Sequence, residues 1–147
     1  MLLLLFTIDG HKYAIDSSSV RRVVRMVEIT PLPGGTDAIL GVINVQGDLV
    51  PVIDLRRCFR MPGREMDISD QLIIVYAEGH RLALPVDETE GVIDCQDEAL
   101  IPVAGVLSGT EYIGGVAKHA DGMVLIYNLD KLLALAGSVS DATGGQE

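Results

Sequence analysis

Two stretches of this chain carry the same pattern, and that repetition restricts the fold more than any single motif does. Gly10-His11-Lys12-Tyr13-Ala14-Ile15 lines up with Gly79-His80-Arg81-Leu82-Ala83-Leu84 at an offset of 69 residues. The match runs back to Leu3-Leu4-Leu5-Phe6 over Leu72-Ile73-Ile74-Val75 and forward to Val23-Val24 over Val92-Ile93. A second block follows at an offset of 74: Ile39-x-Gly41-Val42 over Ile113-x-Gly115-Val116, and Val50-x-Val52-x-Asp54-Leu55 over Val124-x-Ile126-x-Asn128-Leu129. The slip between offsets falls in a loop, where insertion costs little. A chain duplicated in this way folds as two like units.

Each unit reads as five short strands. They are predicted at 2–9, 12–16, 20–28, 38–46 and 49–54, then at 71–77, 81–86, 90–95, 111–119 and 122–127. Turns at Asp9-Gly10, Glu78-Gly79 and Asp121-Gly122 supply glycine where positive φ is wanted. Strands so short and so often punctuated predict small barrels rather than alternating β-α units. Aromatic residues are only 4% and Trp is absent, so the core must be aliphatic. The hairpin from Ile39 to Leu55 is the most sharply patterned stretch. Gly47-Asp48, glycine first, predicts a type II′ turn. Pro51, with no N–H to donate, predicts an edge or a bulge. Asp54 predicts an N-cap for a short helix over Leu55-Arg56-Arg57-Cys58-Phe59, and Asn128 a cap for a helix closed by Gly137. The domain is expected over 1–137, with barrel 1 at about 1–60, a connector at 61–70 containing Pro62-Gly63, and barrel 2 at about 71–137. Exchange of strands between the barrels stays open, and 138–147 is expected to be a disordered tail.

Nothing in this pattern carries catalytic chemistry. His11 and His80 sit at equivalent places after a turn glycine, and His119 lies beside another turn. Ser17-Ser18-Ser19 has no glycine elbow. Asp87, Glu88, Glu90, Asp94, Asp97 and Glu98 are dense but lack calcium-loop spacing, so a solvated acidic face is expected and no metal or other cofactor. Asp54 closes an apolar strand, a position that suits a catalytic acid, yet its repeat partner Asn128 caps helices and cannot act as a base. Cys58 and Cys95 show no metal-ligand spacing and are expected to be reduced. The chain should not be an enzyme.

Charge sharpens the partner question. The net charge of −10 opposes binding to a phosphate backbone. It is uneven: residues 1–70 carry 8 basic and 9 acidic side chains, residues 71–147 carry 3 and 12. The apolar N-terminus lacks a basic n-region and breaks at Asp9, and no stretch has transmembrane length, so no membrane insertion and a cytoplasmic location are expected.

The residues now carry a family resemblance. Phe6-x-Ile8-x-Gly10-x-x-Tyr13-Ala14-Ile15, Val20-x-x-Val23, Ile29-Thr30-Pro31-Leu32-Pro33, Gly41-Val42-x-Asn44-x-x-Gly47, Val50-Pro51-Val52-Ile53-Asp54-Leu55, Val86-Asp87 and Leu129-x-x-Leu132-Leu133 together resemble the CheW family and the related regulatory domain of the histidine kinase CheA. The resemblance implies a mainly β fold of two five-stranded SH3-like barrels packed as one unit. It also implies an adaptor that couples the cytoplasmic tip of a chemoreceptor to the CheA regulatory domain, held at a membrane-associated array through these partners. Val20, Arg22, Val92, Ile53 and Val86 match or adjoin the receptor-binding groove, and Gly41 with Gln46 and Gly47 match the kinase-binding side. Two departures stand out. Many members carry Arg where this chain has Gln46, and Glu where it has Arg22, which implies a retained fold with altered partner choice. A chemotaxis-like pathway serving surface motility is the alternative setting. Arg21, Arg22, Arg25, Arg56, Arg57 and Arg60 facing the acidic second half of a neighbouring molecule would give weak, ring-type association.

Overall fold

A computed structural model of the chain describes residues 1–32, 38–58, 61–77, 79–96, 100–101, 113–119, 122–132 and 134. The first half contributes β1 (Leu2–Ile8), β2 (His11–Asp16), β3 (Val20–Arg25), β4 (Ile39–Val45), β5 (Asp48–Ile53) and the single helical turn α1 (Leu55–Cys58). The second contributes β6 (Gln71–Ala77), β7 (His80–Val86), β8 (Glu88–Asp94), the short β9 (Leu100–Ile101), β10 (Ile113–His119) and β11 (Gly122–Tyr127). Residues 129–132 and 134 are helical beyond β11. The disordered tail expected at 138–147 and the helix stop at Gly137 lie outside the described residues. No helix among the described residues is long and apolar enough to cross a membrane.

Two sheets form, and the halves exchange strands to make them. One sheet runs β8-β1-β2-β11-β10-β9 and the other β3-β6-β7-β5-β4. The boundary near residues 61–70 therefore divides the sequence repeat but not the sheets: β1 and β2 join the second half's strands, and β6 and β7 join the first half's. Leaving out β9, each five-stranded set maps onto the other through the repeat. The parallel pair Val52↔Ala83 is the counterpart of Ile126↔Ala14. The register shifts recur as well. The shift between Ile39 and Gly41 repeats between Ile113 and Gly115. The one between Val20 and Arg22, which leaves Arg21 unpaired against β6, repeats opposite Leu5/Phe6, where Glu90 is skipped on β8.

This topology explains the runs of apolar residues that alternate with nothing. Leu3 and Leu5 point into a small core with Ala14, Cys95, Ala117 and Val124, inside the curl of the first sheet. Leu72 and Ile74 do the same with Ile43, Val50, Val52 and Ala83 in the second. The intervening Leu4, Phe6, Ile8, Ile73 and Val75 meet in a third and larger core between the sheets. Strands covered on both faces read as continuous hydrophobic runs. Phe6, Tyr13 and Tyr127 stack in that shared core with ring centroids 5.2–5.9 Å apart.

Three local expectations are corrected. The β4–β5 turn is Gln46-Gly47, with Val45 opposite Asp48; φ is +53° at Gln46 and +92° at Gly47, so the turn is type I′ and not type II′ at Gly47-Asp48. Pro51 lies in an interior strand, between β4 and β7. Its partner in register, Val42, exchanges both of its backbone hydrogen bonds with Thr30 at 2.9 Å, so Pro51 owes β4 no N–H, and β5 meets β7 at a single residue pair. Gly122 is the first residue of β11 and has no positive φ, unlike Gly10 and Gly79.

Candidate functional site

The N-caps come first, because they decide what Asp54 does. Asp54 Oδ1 accepts the Arg56 N–H at 3.0 Å and the Arg57 N–H at 3.4 Å. Asn128 Oδ1 accepts the Lys131 N–H at 3.3 Å in the equivalent place. Both side chains are thus occupied in satisfying the orphan donors of a helix start.

That cap directs Arg56 inward, to an ion cluster that sequence reasoning missed. Arg56 is 5% exposed. Its Nη1 donates to Asp9 in the β1–β2 turn and its Nη2 to Asp87 at 3.0 Å, just after β7. Asp87 also accepts from Arg64 at 2.7 Å, and Arg64 reaches the buried Asp70 at 3.0 Å. Asp87 Oδ2 accepts the Asp9 N–H at 2.8 Å. Burial opposes the Arg56 charge, but Asp9 and Asp87 outweigh it and hold the guanidinium above its ordinary value. The hydrogen bond from Arg56 in turn holds the Asp9 carboxyl below the usual carboxylate range. The cluster clamps the connector and α1 to turns belonging to both sheets. Arg56 is therefore unavailable to a neighbouring molecule, which corrects its place in the expected basic contact face; Arg60 lies outside the described residues. The sequence signal for Arg56 was present only as an arginine one residue into a helix, indistinguishable from the exposed Arg57.

The groove residues separate into surface and core. Val20 is half-buried against the shared core, whereas Val92 is 55% exposed on the edge strand β8, opposite Leu4. Ile53 and Val86 are 0% and 2% exposed; they belong to the shared core and present no surface to a partner. Arg22 and Gln46, by contrast, are brought together. They line one hollow of about 390 Å³ beside Arg21, Val45, Ile74, Tyr76 and Arg81. Arg21 lies over the Tyr76 ring at 4.8 Å, and Arg81 donates to Asp48 at 2.6 Å. Nothing in the spacing of Tyr76 or Arg81 announced this; they arrive because β6 and β7 were exchanged into the sheet.

Gly41 has an internal reason to be glycine. A Cβ there would stand 2.2 Å from the Thr30 carbonyl oxygen. The close approach at this position is made by the chain's own Ile29-Thr30 segment. Gly47 takes the second left-handed position of the type I′ turn, and its N–H is received by Asn44 Oδ1 at 2.8 Å. Three acids of the second half have separate partners: Asp87 joins the cluster above, Glu90 pairs with Lys12 at 3.6 Å, and Asp94 with the N-terminal amine at 3.5 Å. Asp97 and Glu98 lie outside the described residues. Among the described residues no three His, Cys, Asp or Glu side chains come together as a metal site.

Comparison with known proteins agrees with this architecture. The CheW-like domain family model matches residues 2–137. The chemotaxis protein CheW of Klebsiella aerogenes is 31% identical over 134 residues, spanning 89% of this chain and 80% of that protein. The chemotaxis protein CheW of Treponema pallidum is 23% identical over 138 residues, spanning 90% and 81%. Among solved structures, the scaffolding protein TtCheW from Thermoanaerobacter tengcongensis superposes with a TM-score of 0.79 at 31% identity, over 86% of this chain and 88% of that one.

Proposed function

Because the chain belongs to the CheW-like domain family, we propose that it works as a non-catalytic chemotaxis adaptor, coupling chemoreceptors to the histidine kinase CheA by protein–protein contact in the cytoplasm. The observation that carries this reading is the family match along residues 2–137, over both exchanged sheets, with a scaffolding protein as structural neighbour. The physical character of the surface supports it. The titratable groups of α1, the β1–β2 turn and the connector bond one another and hold the two sheets together. β3 and β8 each lie at an edge of a sheet, with no further strand beside them among the described residues. Val20, Arg22 and Val92 are assigned to the receptor side, with Ile53 and Val86 supporting that surface from the core. Gln46 and Gly47 are assigned to the kinase side, and Gly41 shapes that side from within.

Reconstitution tests the reading. A receptor cytoplasmic fragment and the kinase are mixed with and without this protein, and kinase autophosphorylation is followed. Receptor-dependent control of the kinase that appears only with the adaptor is the expected result. Equal kinase activity in both mixtures refutes it.

A further inference from the structure

We propose that the hollow beside β3, together with a second hollow that adjoins it, is a trough for an acidic, partly apolar segment of a partner protein, and that Arg22 receives a carboxylate from that segment. The inference rests on the adaptor reading and adds the chemistry of the partner.

The first hollow has an apolar floor and a cationic rim. Ile74, 2% exposed, and Val45 form the floor, while Arg21 and Arg22 stand at the rim with Gln46. Arg81 has its carboxylate partner in Asp48 and Arg21 is laid over Tyr76. Among the described residues no carboxylate pairs with Arg22 or Arg21. In a chain of net charge −10, two neighbouring arginines with no acid partner among the described residues mark a place suited to an external one. The repeat provides an internal control. The equivalent bulge on β8 carries Glu90 and Gly91 in place of Arg21 and Arg22, and Glu90 is already paired with Lys12.

The second hollow argues for a polypeptide rather than a free anion. It has about 290 Å³, shares Tyr76 and Arg81 with the first, and is otherwise lined by Asp48, Leu49, Pro51, Gly79 and His80. Leu49 is 68% exposed. The two together make a trough longer than a free anion needs. The arginine pair and the apolar Ile74 and Val45 lie in the first hollow, and the second is mixed, with Leu49 and Pro51 beside Asp48 and His80. This fits a chain segment whose acid sits at the first hollow and whose aliphatic side chain reaches Leu49. Gln46 supports the assignment. It keeps a left-handed φ of +53° where glycine or asparagine would sit without strain, and such strain is retained where a side chain is needed in place.

The test uses the full chain, ¹⁵N-labelled, titrated with a short peptide carrying alternating Leu and Glu and with its Gln-for-Glu twin. The acidic peptide is expected to shift the amides of Arg22, Gln46, Tyr76 and Arg81 and to bind at least tenfold tighter than the amide twin. Arg22→Glu should abolish that preference. Lys118→Glu, the same charge change at an exposed site on the other sheet, should leave it within about twofold. Equal binding of the two peptides, equal effects of both variants, shifts at β8 instead, concentration-dependent self-association in place of peptide binding, full displacement by millimolar citrate, or no binding at all would each overturn the inference. Failure here with kinase control intact removes the trough alone. Failure of the wild type to couple the kinase, with the carboxylate preference intact, removes the adaptor reading alone.

Discussion

Gly41→Ala separates a structural from a partner-facing role for this glycine. The added methyl would lie 2.2 Å from the Thr30 carbonyl oxygen and 2.8 Å from its carbon, with Ile29 Cγ2 at 3.0 Å. Backbone atoms cannot swing aside as a side chain does, so the Ile29-Thr30 segment must part from β4 by about 1 Å. That movement breaks the reciprocal Thr30–Val42 hydrogen bonds, each 2.9 Å and each worth about 1 kcal/mol net. A φ of +155° adds strain of about 1 kcal/mol for any residue with a Cβ. The loss should total about 2–4 kcal/mol, a fall in Tm of about 5–15 °C for a chain of this size. Urea titration followed by circular dichroism reads the stability, and hydrogen exchange at Thr30 and Val42 reads the local opening. A variant within about 0.5 kcal/mol of wild type that keeps both amides protected, yet no longer binds the kinase, would refute the steric argument and return Gly41 to the interface.

Three further outcomes follow from the caps, the turn and the ion cluster. Asp54→Ala should lose about 1–2 kcal/mol and Asp54→Asn much less, since asparagine fills the same role at position 128; equal losses in urea denaturation would refute the capping role. Gln46→Asn should raise stability by about 0.5–1 kcal/mol, because asparagine tolerates the left-handed first position of a type I′ turn; a lower Tm by calorimetry would contradict the turn assignment. Asp9 titrates lower when folded than when unfolded, so its pairing with Arg56 is fully stabilising above the unfolded value, about pH 4, and is lost as pH falls through the folded value. Asp9→Asn should therefore flatten the acid-side fall in the urea midpoint, and an unchanged slope would exclude this contribution.

Much of the fold was legible because the duplicated pattern constrains it twice. Strands seen in one half located their counterparts in the other, and ten of the eleven strands among the described residues fall at the places the repeat predicts. β9 was not predicted: its pair Ile101↔Val116 is the counterpart of the single bridge Thr30↔Val42, and both fall where the offset slips, so the repeat as aligned did not reach them. The residues of the hollow were legible one at a time: Arg22 and Gln46 stood out against the family pattern, but their proximity did not.

Local patterning settled what is local. Alternation, turn glycines and caps act over a few residues, so the strands, the helix starts at Asp54 and Asn128, and the aliphatic character of the core can be read from the chain. Which strands pair is a matter of long-range burial. Leu3 and Leu4 look alike in sequence, yet one faces the inside of a curled sheet and the other the layer between sheets. That difference exists only once β1–β2 and β6–β7 have crossed over. The same crossing buries Arg56 between Asp9 and Asp87 and sets Tyr76 and Arg81 beside Arg22, because it brings together charges and rings from halves that sequence distance keeps apart.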